Sequence, residues 1–168
     1  MRWIPAYVAL GSNLGEPQAQ IERACAHLGR IRDTRLVMRS RLYASRPMGP
    51  PDQPEFVNAA AGLLTRLPAP DLLRELQAIE SAMGRVPPPV RWGPRRIDLD
   101  LLLHGQQVSR EPALVLPHPG IHERNFVLYP LADIAPTLLV AGHASVAELA
   151  RKRGGDGLRV LATDADPG

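Results

Sequence analysis

Apolar positions along the chain recur with two periods, and each period predicts an element. Residues 4–10 (IPAYVAL) form a short apolar run that breaks at Gly11-Ser12-Asn13, which predicts a strand ending in a turn. The following segment changes to helical spacing. Pro17 suits a first helical position, Ile21, Ala24, Cys25 and Leu28 share one face, and Gly29 supplies a stop. Residues 35–44 (RLVMRSRLYA) alternate weakly and predict a second strand. Residues 46–54 (RPMGPPDQP) carry four prolines and a glycine, a composition that belongs to a loop and not to a sheet interior. Residues 55–65 (EFVNAAAGLLT) predict a third strand, with Phe56 and Asn58 on one face. A second helix is bracketed by Pro70 and Gly84, with Leu72, Leu76, Ile79 and Met83 as its stripe. Gln77 and Glu80, three apart, lie together on an adjacent face. Residues 97–103 (IDLDLLL) predict a fourth strand. Beyond them, prolines interrupt the apolar clusters and the pattern weakens. Ser145 and Glu148 have capping-box spacing for a short helix. The Gly- and Asp-rich residues 153–168 are expected to fray.

The order strand, helix, strand, strand, helix, strand is that of the ferredoxin-like α+β arrangement. It implies an antiparallel sheet with helices on one face, here followed by a C-terminal extension. No repeat or linker divides the 168 residues, so one domain over 1–168 is expected. That fold hosts many activities, and function has to come from particular residues.

Composition narrows the field. No apolar run reaches the about 20 residues of a membrane helix. The N-terminus lacks the pattern of a secretory signal, so a cytoplasmic protein is expected, with no membrane partner. Cys25 is the single cysteine, which excludes an internal disulfide and a cysteine-based zinc cluster. The net charge is +3, from 20 basic and 17 acidic residues, and suits a small anionic ligand. Aromatic residues make up 4%, too few for a platform of rings stacked on single-stranded nucleic acid.

The most informative chemistry is Asp98-Leu99-Asp100 inside an otherwise apolar run. On a strand, both carboxylates fall on one face and Ile97, Leu99 and Leu101 on the other. Two adjacent carboxylates repel, and a divalent cation relieves that repulsion; Mg²⁺ takes such oxygen ligands together with substrate phosphates. An isolated pair of this kind is commonly a solvated strand face. Here the preceding segment, RVPPPVRWGPRR (85–96), adds Arg85, Arg91, Arg95 and Arg96 and a single Trp92. Carboxylates for a cation beside arginines for phosphate are the parts phosphoryl transfer needs. The common nucleotide loops are absent, and Gly11-Ser12-Asn13-Leu14-Gly15 reads better as a strand-to-helix turn than as a phosphate cradle. Cys25, on an apolar helix face, reads as a buried structural thiol.

Four blocks then converge. Residues 8–14 (VALGSNL), 47–60 (PMGPPDQPEFVNAA), 91–103 (RWGPRRIDLDLLL) and 117–118 (PH) resemble the 6-hydroxymethyl-7,8-dihydropterin pyrophosphokinase family, over roughly residues 5–140. The resemblance implies a ferredoxin-like enzyme that moves the β,γ-diphosphate of ATP to the hydroxymethyl group of a reduced pterin, releasing AMP, in folate biosynthesis. It implies two Mg²⁺ ions on Asp98 and Asp100. It places the pterin between the rings of Phe56 and Phe126, with Asn58 and Ser45 bonded to its amide-like edge. Backbone groups of Arg46 and Met48 lie nearby, and Gly11 permits close approach. Gln77, Glu80, Arg95, Leu101, His118 and Arg124 match positions lining the ATP site. Arg85 and Arg91 match basic loop residues, and Trp92 matches a residue that closes over the site. The expected partners are these two small molecules, with no nucleic acid, and a monomer is expected.

The chain departs from the family pattern in places. Pro87 and Pro88 stand where a basic pair is found, Ala113 replaces an arginine before the PH motif, and Phe56 keeps the ring of a tyrosine without its hydroxyl. No general base stands out. Two other readings compete: a nucleic-acid-binding ferredoxin-like module and an inactive pterin-binding homologue. The low aromatic content opposes the first, as does an acidic pair that repels phosphate without metal. The intact Asp98 and Asp100 oppose the second.

Overall fold

The computed structural model of the chain describes residues 2–46, 54–84 and 97–161. Strand β1 (Ile4–Ser12) leads into helix α1 (Pro17–Leu28), strands β2 (Thr34–Arg39), β3 (Tyr43–Ser45) and β4 (Phe56–Thr65), and helix α2 (Ala69–Ala82). Strand β5 (Asp98–His104) and a small hairpin of β6 (Ser109–Glu111) and β7 (Leu114–Leu116) follow. A single 3-10 turn (Ile121–Glu123), helices α3 (Asn125–Ile134) and α4 (Val146–Arg153), and strand β8 (Leu158–Val160) complete the chain.

The main sheet runs β5-β1-β4-β3-β8, with β2 also paired to β4, and every pairing is antiparallel. The expected strand over 35–44 is therefore two short strands sharing one flank of β4. The chain leaves the sheet at residues 40–42, where the Ser40 hydroxyl accepts from the Ala60 amide at 2.8 Å. A bulge between Leu36 and Met38 turns Val37 and Met38 outward, which explains the weak alternation of this segment.

Period-two alternation decides which residues meet which helices. Ala6, Val8 and Leu10 of β1, Val57, Ala59, Ala61 and Leu63 of β4, and Leu99 and Leu101 of β5 enter one core with the apolar stripes of α1 and α2. Fully burying a leucine such as Leu72 or Leu76 stabilises the fold by about 1.5–3 kcal/mol. Cys25 lies in this core, as its position on the helix face implies.

The C-terminal extension covers the opposite face. Leu102, Leu103 and Ala60 pack there with Val127, Leu128 and Leu131 of α3 and with Val146 and Ala150 of α4. Helices on one face thus describe the βαββαβ core, and the extension adds a second helical layer. Strand β4 is buried on both faces as a result. Its run of small residues makes room: a Cβ at Gly62 would stand 3.7 Å from Ile134 and 3.6 Å from Tyr7. Helix α3 contains Pro130, which leaves the Phe126 carbonyl without the donor it would have in a regular helix. That proline hides the helix from sequence reasoning. The Ser145 cap is present, its hydroxyl accepting from the Glu148 amide at 3.3 Å. Residues 158–160, expected in a frayed tail, instead form β8 against β3, because backbone pairing and the Arg159–Glu55 ion pair hold them.

Candidate active site on the second sheet face

The site builds from strand register. On the face shared with α3, Asn58 lies opposite Gly11, and Gly11 lies opposite Asp98. One step along, Ala60, Ala9 and Asp100 form the next row, and Tyr43 extends the first row beyond Asn58. Leu99 between the two aspartates is 4% exposed and belongs to the opposite core. The expected common face for Asp98 and Asp100 is therefore present. It continues across β1 to the polar residues of β4.

The β4 end is a fixed polar corner. Asn58 is 5% exposed and Ser45 is 7% exposed. The Asn58 amide donates to Ser45 Oγ at 2.8 Å and to the Tyr43 carbonyl at 3.2 Å. Asn58 Oδ1 then faces the open position over Gly11, 3.6 Å from where a Cβ would stand, and Phe56 borders the same position at 4.0 Å. Phe56 sits opposite Ser45 in the ladder. Phe126 lies in the first turn of α3 above this face and, like Phe56, is only half-buried. The end of β1 is tied to the entry of β4 where Asn13 donates to the Pro54 carbonyl at 3.4 Å.

The β5 end gathers charge. Asp100 is exposed and Asp98 half-buried. The His118 amide donates to the Leu102 carbonyl at 2.9 Å, which sets the residue beside β5. Burial pushes its imidazole below the ordinary histidine range; Asp100 opposes that shift and Arg124 adds to it. The Gly120 amide donates to His118 Nδ1 at 3.2 Å. Arg124 lies over Gly120 so closely that a Cβ there would stand 2.7 Å from its Nε, so only glycine leaves the guanidinium its place. Asp100, His118 and Arg124 are thereby brought together.

Other expected ligand residues are placed differently from one another. Glu80 is buried, and its carboxylate accepts the Leu99 amide at 2.8 Å, joining α2 to the backbone between the two aspartates. Gln77 is exposed on α2. Leu101 turns its side chain into the α1–α2 core, so only its backbone is available to a ligand. The Arg46 stem rests against Gly157, beside β8. Ala113 is exposed at the turn of the β6–β7 hairpin. Met48, Arg85, Pro87, Pro88, Arg91, Trp92 and Arg95 lie outside the described residues. Strand β1 runs on through Gly11 and Ser12, which were expected in the turn, and residues 13–16 make the turn into α1.

Sequence reasoning missed the side chains that hold this face in shape. The Tyr43 hydroxyl donates to both Asp133 oxygens, at 2.8 and 2.9 Å, and Arg41 pairs with the same carboxylate at 2.9 Å. Burial, with the bond to Asp133, pushes the Tyr43 hydroxyl up to about 12. Residues 43 and 133 are joined only by the fold, and no local pattern marks them as partners.

Among the described residues, no group of three His, Cys, Asp or Glu side chains forms a metal cage. Two carboxylates on an open face fit a cation that completes its shell with phosphate oxygens and water, the preference of Mg²⁺.

The family model of 7,8-dihydro-6-hydroxymethylpterin-pyrophosphokinase (HPPK) matches residues 7–136. The chain belongs to the HPPK family. The 2-amino-4-hydroxy-6-hydroxymethyldihydropteridine pyrophosphokinase of Pseudomonas aeruginosa is 53% identical over 143 residues, covering 85% of this chain and 88% of that relative. Its Haemophilus influenzae counterpart is 43% identical over 149 residues, covering 89% and 92%. A crystal structure of Plasmodium falciparum HPPK-DHPS with pteroate superposes with a TM-score of 0.71 at 14% identity, covering 90% of this chain and 42% of that longer protein. At that identity the likeness speaks for the fold alone. No helix among the described residues is long and apolar enough to cross a membrane.

Proposed function

We propose that this HPPK-family chain transfers the diphosphate of ATP to the hydroxymethyl group of 6-hydroxymethyl-7,8-dihydropterin, giving AMP and the pterin diphosphate in folate biosynthesis. The observation that carries the reading is the row Asn58–Gly11–Asp98 across β4, β1 and β5. Strands lie about 4.8 Å apart, so this row spans roughly 10 Å from an amide to a carboxylate over a residue with no side chain. A flat bicyclic ring fits over Gly11, with its polar edge on Asn58 and Ser45 and its substituent toward Asp98 and Asp100.

Phe56 and Phe126 supply ring faces for the pterin, and the Asn58 corner reads its amide-like edge. Asp98 and Asp100 would hold the two Mg²⁺ ions, which when bound would neutralise the triphosphate and lower the pKa of the attacking hydroxyl. The hydroxymethyl oxygen attacks the β-phosphorus. The bond from that phosphorus to the α–β bridging oxygen breaks, AMP leaves, and the hydroxyl proton passes to solvent. Arg124, beside Asp100, offers donors to phosphate oxygens as charge moves to the leaving group. Glu80, by accepting the Leu99 amide, fixes the strand between the two carboxylates. Arg85, Arg91, Trp92 and Arg95 enter the proposal through their sequence positions, as phosphate contacts and a cover. Gln77 and His118 belong to the nucleotide side.

The test is direct. The protein is incubated with ATP, Mg²⁺ and the pterin, and nucleotide products are separated. AMP that requires both pterin and Mg²⁺ is the expected result. ADP would mean attack at the γ-phosphorus and overturn the account. Pterin binding with no nucleotide turnover would identify an inactive homologue.

A further inference from the structure

Residues 154–161 lie beyond the segment matched by the family model, yet they touch three parts of the pterin side of the site. Strand β8 pairs along β3, with Leu158 opposite Ser45 and Arg159 opposite Ala44. Arg159 donates to both oxygens of Glu55 at 3.0 Å, and Glu55 immediately precedes Phe56. At the other end, the buried Asn125 amide donates to the carbonyls of Gly154 at 3.1 Å and Asp156 at 2.9 Å, and Asn125 immediately precedes Phe126.

We propose that residues 154–161 are a strap that sets the separation of the two pterin-facing rings, with Arg159 and Asn125 as its positioning residues. The inference rests on the pterin reading of Phe56, Phe126 and Ser45. Its physical basis is the way the rings are mounted. Phe56 opens β4 and Phe126 is the second residue of α3, so each ring sits near an element's end, where backbone restraint is weakest. One ring is on the sheet and the other on the layer above it. The strap bonds to the residue before each ring and pairs with β3 between them, adding a link at the ring end of the two mounts to the packing of α3 on β4 and the Tyr43–Asp133 bond. Two positive-φ glycines, Gly154 (φ 81°) and Gly157 (φ 77°), let this short segment turn from α4 to the sheet edge. Neither Arg159 nor Asn125 touches the pterin; both act through the ring that follows their partner or themselves.

The strap is tested in the full chain with Arg159→Glu, Glu55→Arg and the double swap. Phe56→Ala is the control for the pocket itself. Pterin Kd is read by fluorescence, KM for both substrates by AMP release, and Tm alongside. Each single reversal should weaken pterin binding about two- to fivefold, since it replaces an exposed pair with like charges. KM for ATP should stay unchanged, and the double swap should restore pterin binding. Asn125→Ala, which frees the other end, should move the pterin constant in the same direction. If pterin binding is unmoved by both reversals while Phe56→Ala weakens it, the strap is overturned and the pocket stands. If Phe56→Ala also has no effect, the pterin reading fails, and the strap with it. Parallel loss of ATP affinity, pterin affinity and Tm would show a general folding role and overturn the inference too.

Discussion

Gly11→Ala separates stability from binding at one atom. Gly11 lies in β1 with no positive φ, so alanine adopts its backbone without strain. The added Cβ would stand 3.6 Å from Asn58 Oδ1, 4.0 Å from Phe56 Cδ1 and 4.0 Å from the Val57 carbonyl, all ordinary contacts. Replacing a strand glycine removes unfolded-chain freedom, so stability should hold or rise by about 0.5–1 kcal/mol. For a domain of this size that is a Tm increase of roughly 1–4 °C. The methyl group nevertheless occupies the floor on which the pterin ring is proposed to lie. Overpacking of a fitted contact costs about 1–3 kcal/mol. That range is a fall in pterin affinity of roughly 5- to 150-fold. The assay is pterin fluorescence titration of wild type and variant, with ATP KM and a thermal melt in parallel. An unchanged pterin Kd would remove the ring from its place over Gly11. A melt lowered by more than about 5 °C would mean that the space over Gly11 is smaller than the register and contacts imply.

Three further outcomes follow from other parts of the molecule. Asp100→Asn keeps the shape of an exposed side chain and removes its charge. The melt should be unchanged while kcat falls about 10²-fold or more, and near-normal turnover at saturating Mg²⁺ would dismiss the metal assignment. Tyr43→Phe removes a hydroxyl that donates to the Asp133 carboxylate; with Arg41 still paired, the loss should be about 1.5 kcal/mol, the low end for a bond to a charged group, and an unaltered melt would refute it. The Arg39 hydrogen bond holds the Glu22 carboxyl below the usual carboxylate range, so the pair contributes stability above the unfolded pKa and loses it as pH falls through the folded value. Wild type should exceed Arg39→Met by under about 1 kcal/mol at neutral pH, because the pair is exposed. In denaturant titrations at several pH values that gap should close below roughly pH 4, and a gap independent of pH would assign the contribution to packing.

The legible part of this protein is the part written in short periods. The alternation in 4–10 and 97–103 placed the strands and set both aspartates on one face. The spacing of Ile21, Ala24, Cys25 and Leu28 placed a helix and its buried side. The capping spacing of Ser145 and Glu148 marked α4. Where local signals conflicted, reading failed. Pro130 masked α3, and the bulge at Val37 blurred β2. The Gly- and Asp-rich composition of 153–168 hid β8, whose order comes from β3 and Glu55. The site divides in the same way. Asp98 and Asp100 were visible as chemistry in their own segment, whereas Phe56 and Asn58 showed there only a shared strand face and took a role from the family resemblance. The row that joins Asn58 to Asp98 across Gly11 was not visible, nor was the Tyr43–Asp133 bond that shapes it.

The physical reason is the range over which each preference acts. Which face a side chain occupies is decided by the backbone geometry of its own few residues, so the sequence by itself determined the strands over 4–10 and 97–103, the first two helices and the face of the aspartate pair. Which strand lies beside which is decided by the competition of whole surfaces for burial. That competition put β1 between β4 and β5, and so set Gly11 between Asn58 and Asp98. It also laid α3 over the second face and drew the C-terminal strand to the edge beside Ser45. Only the tertiary structure decided those neighbours.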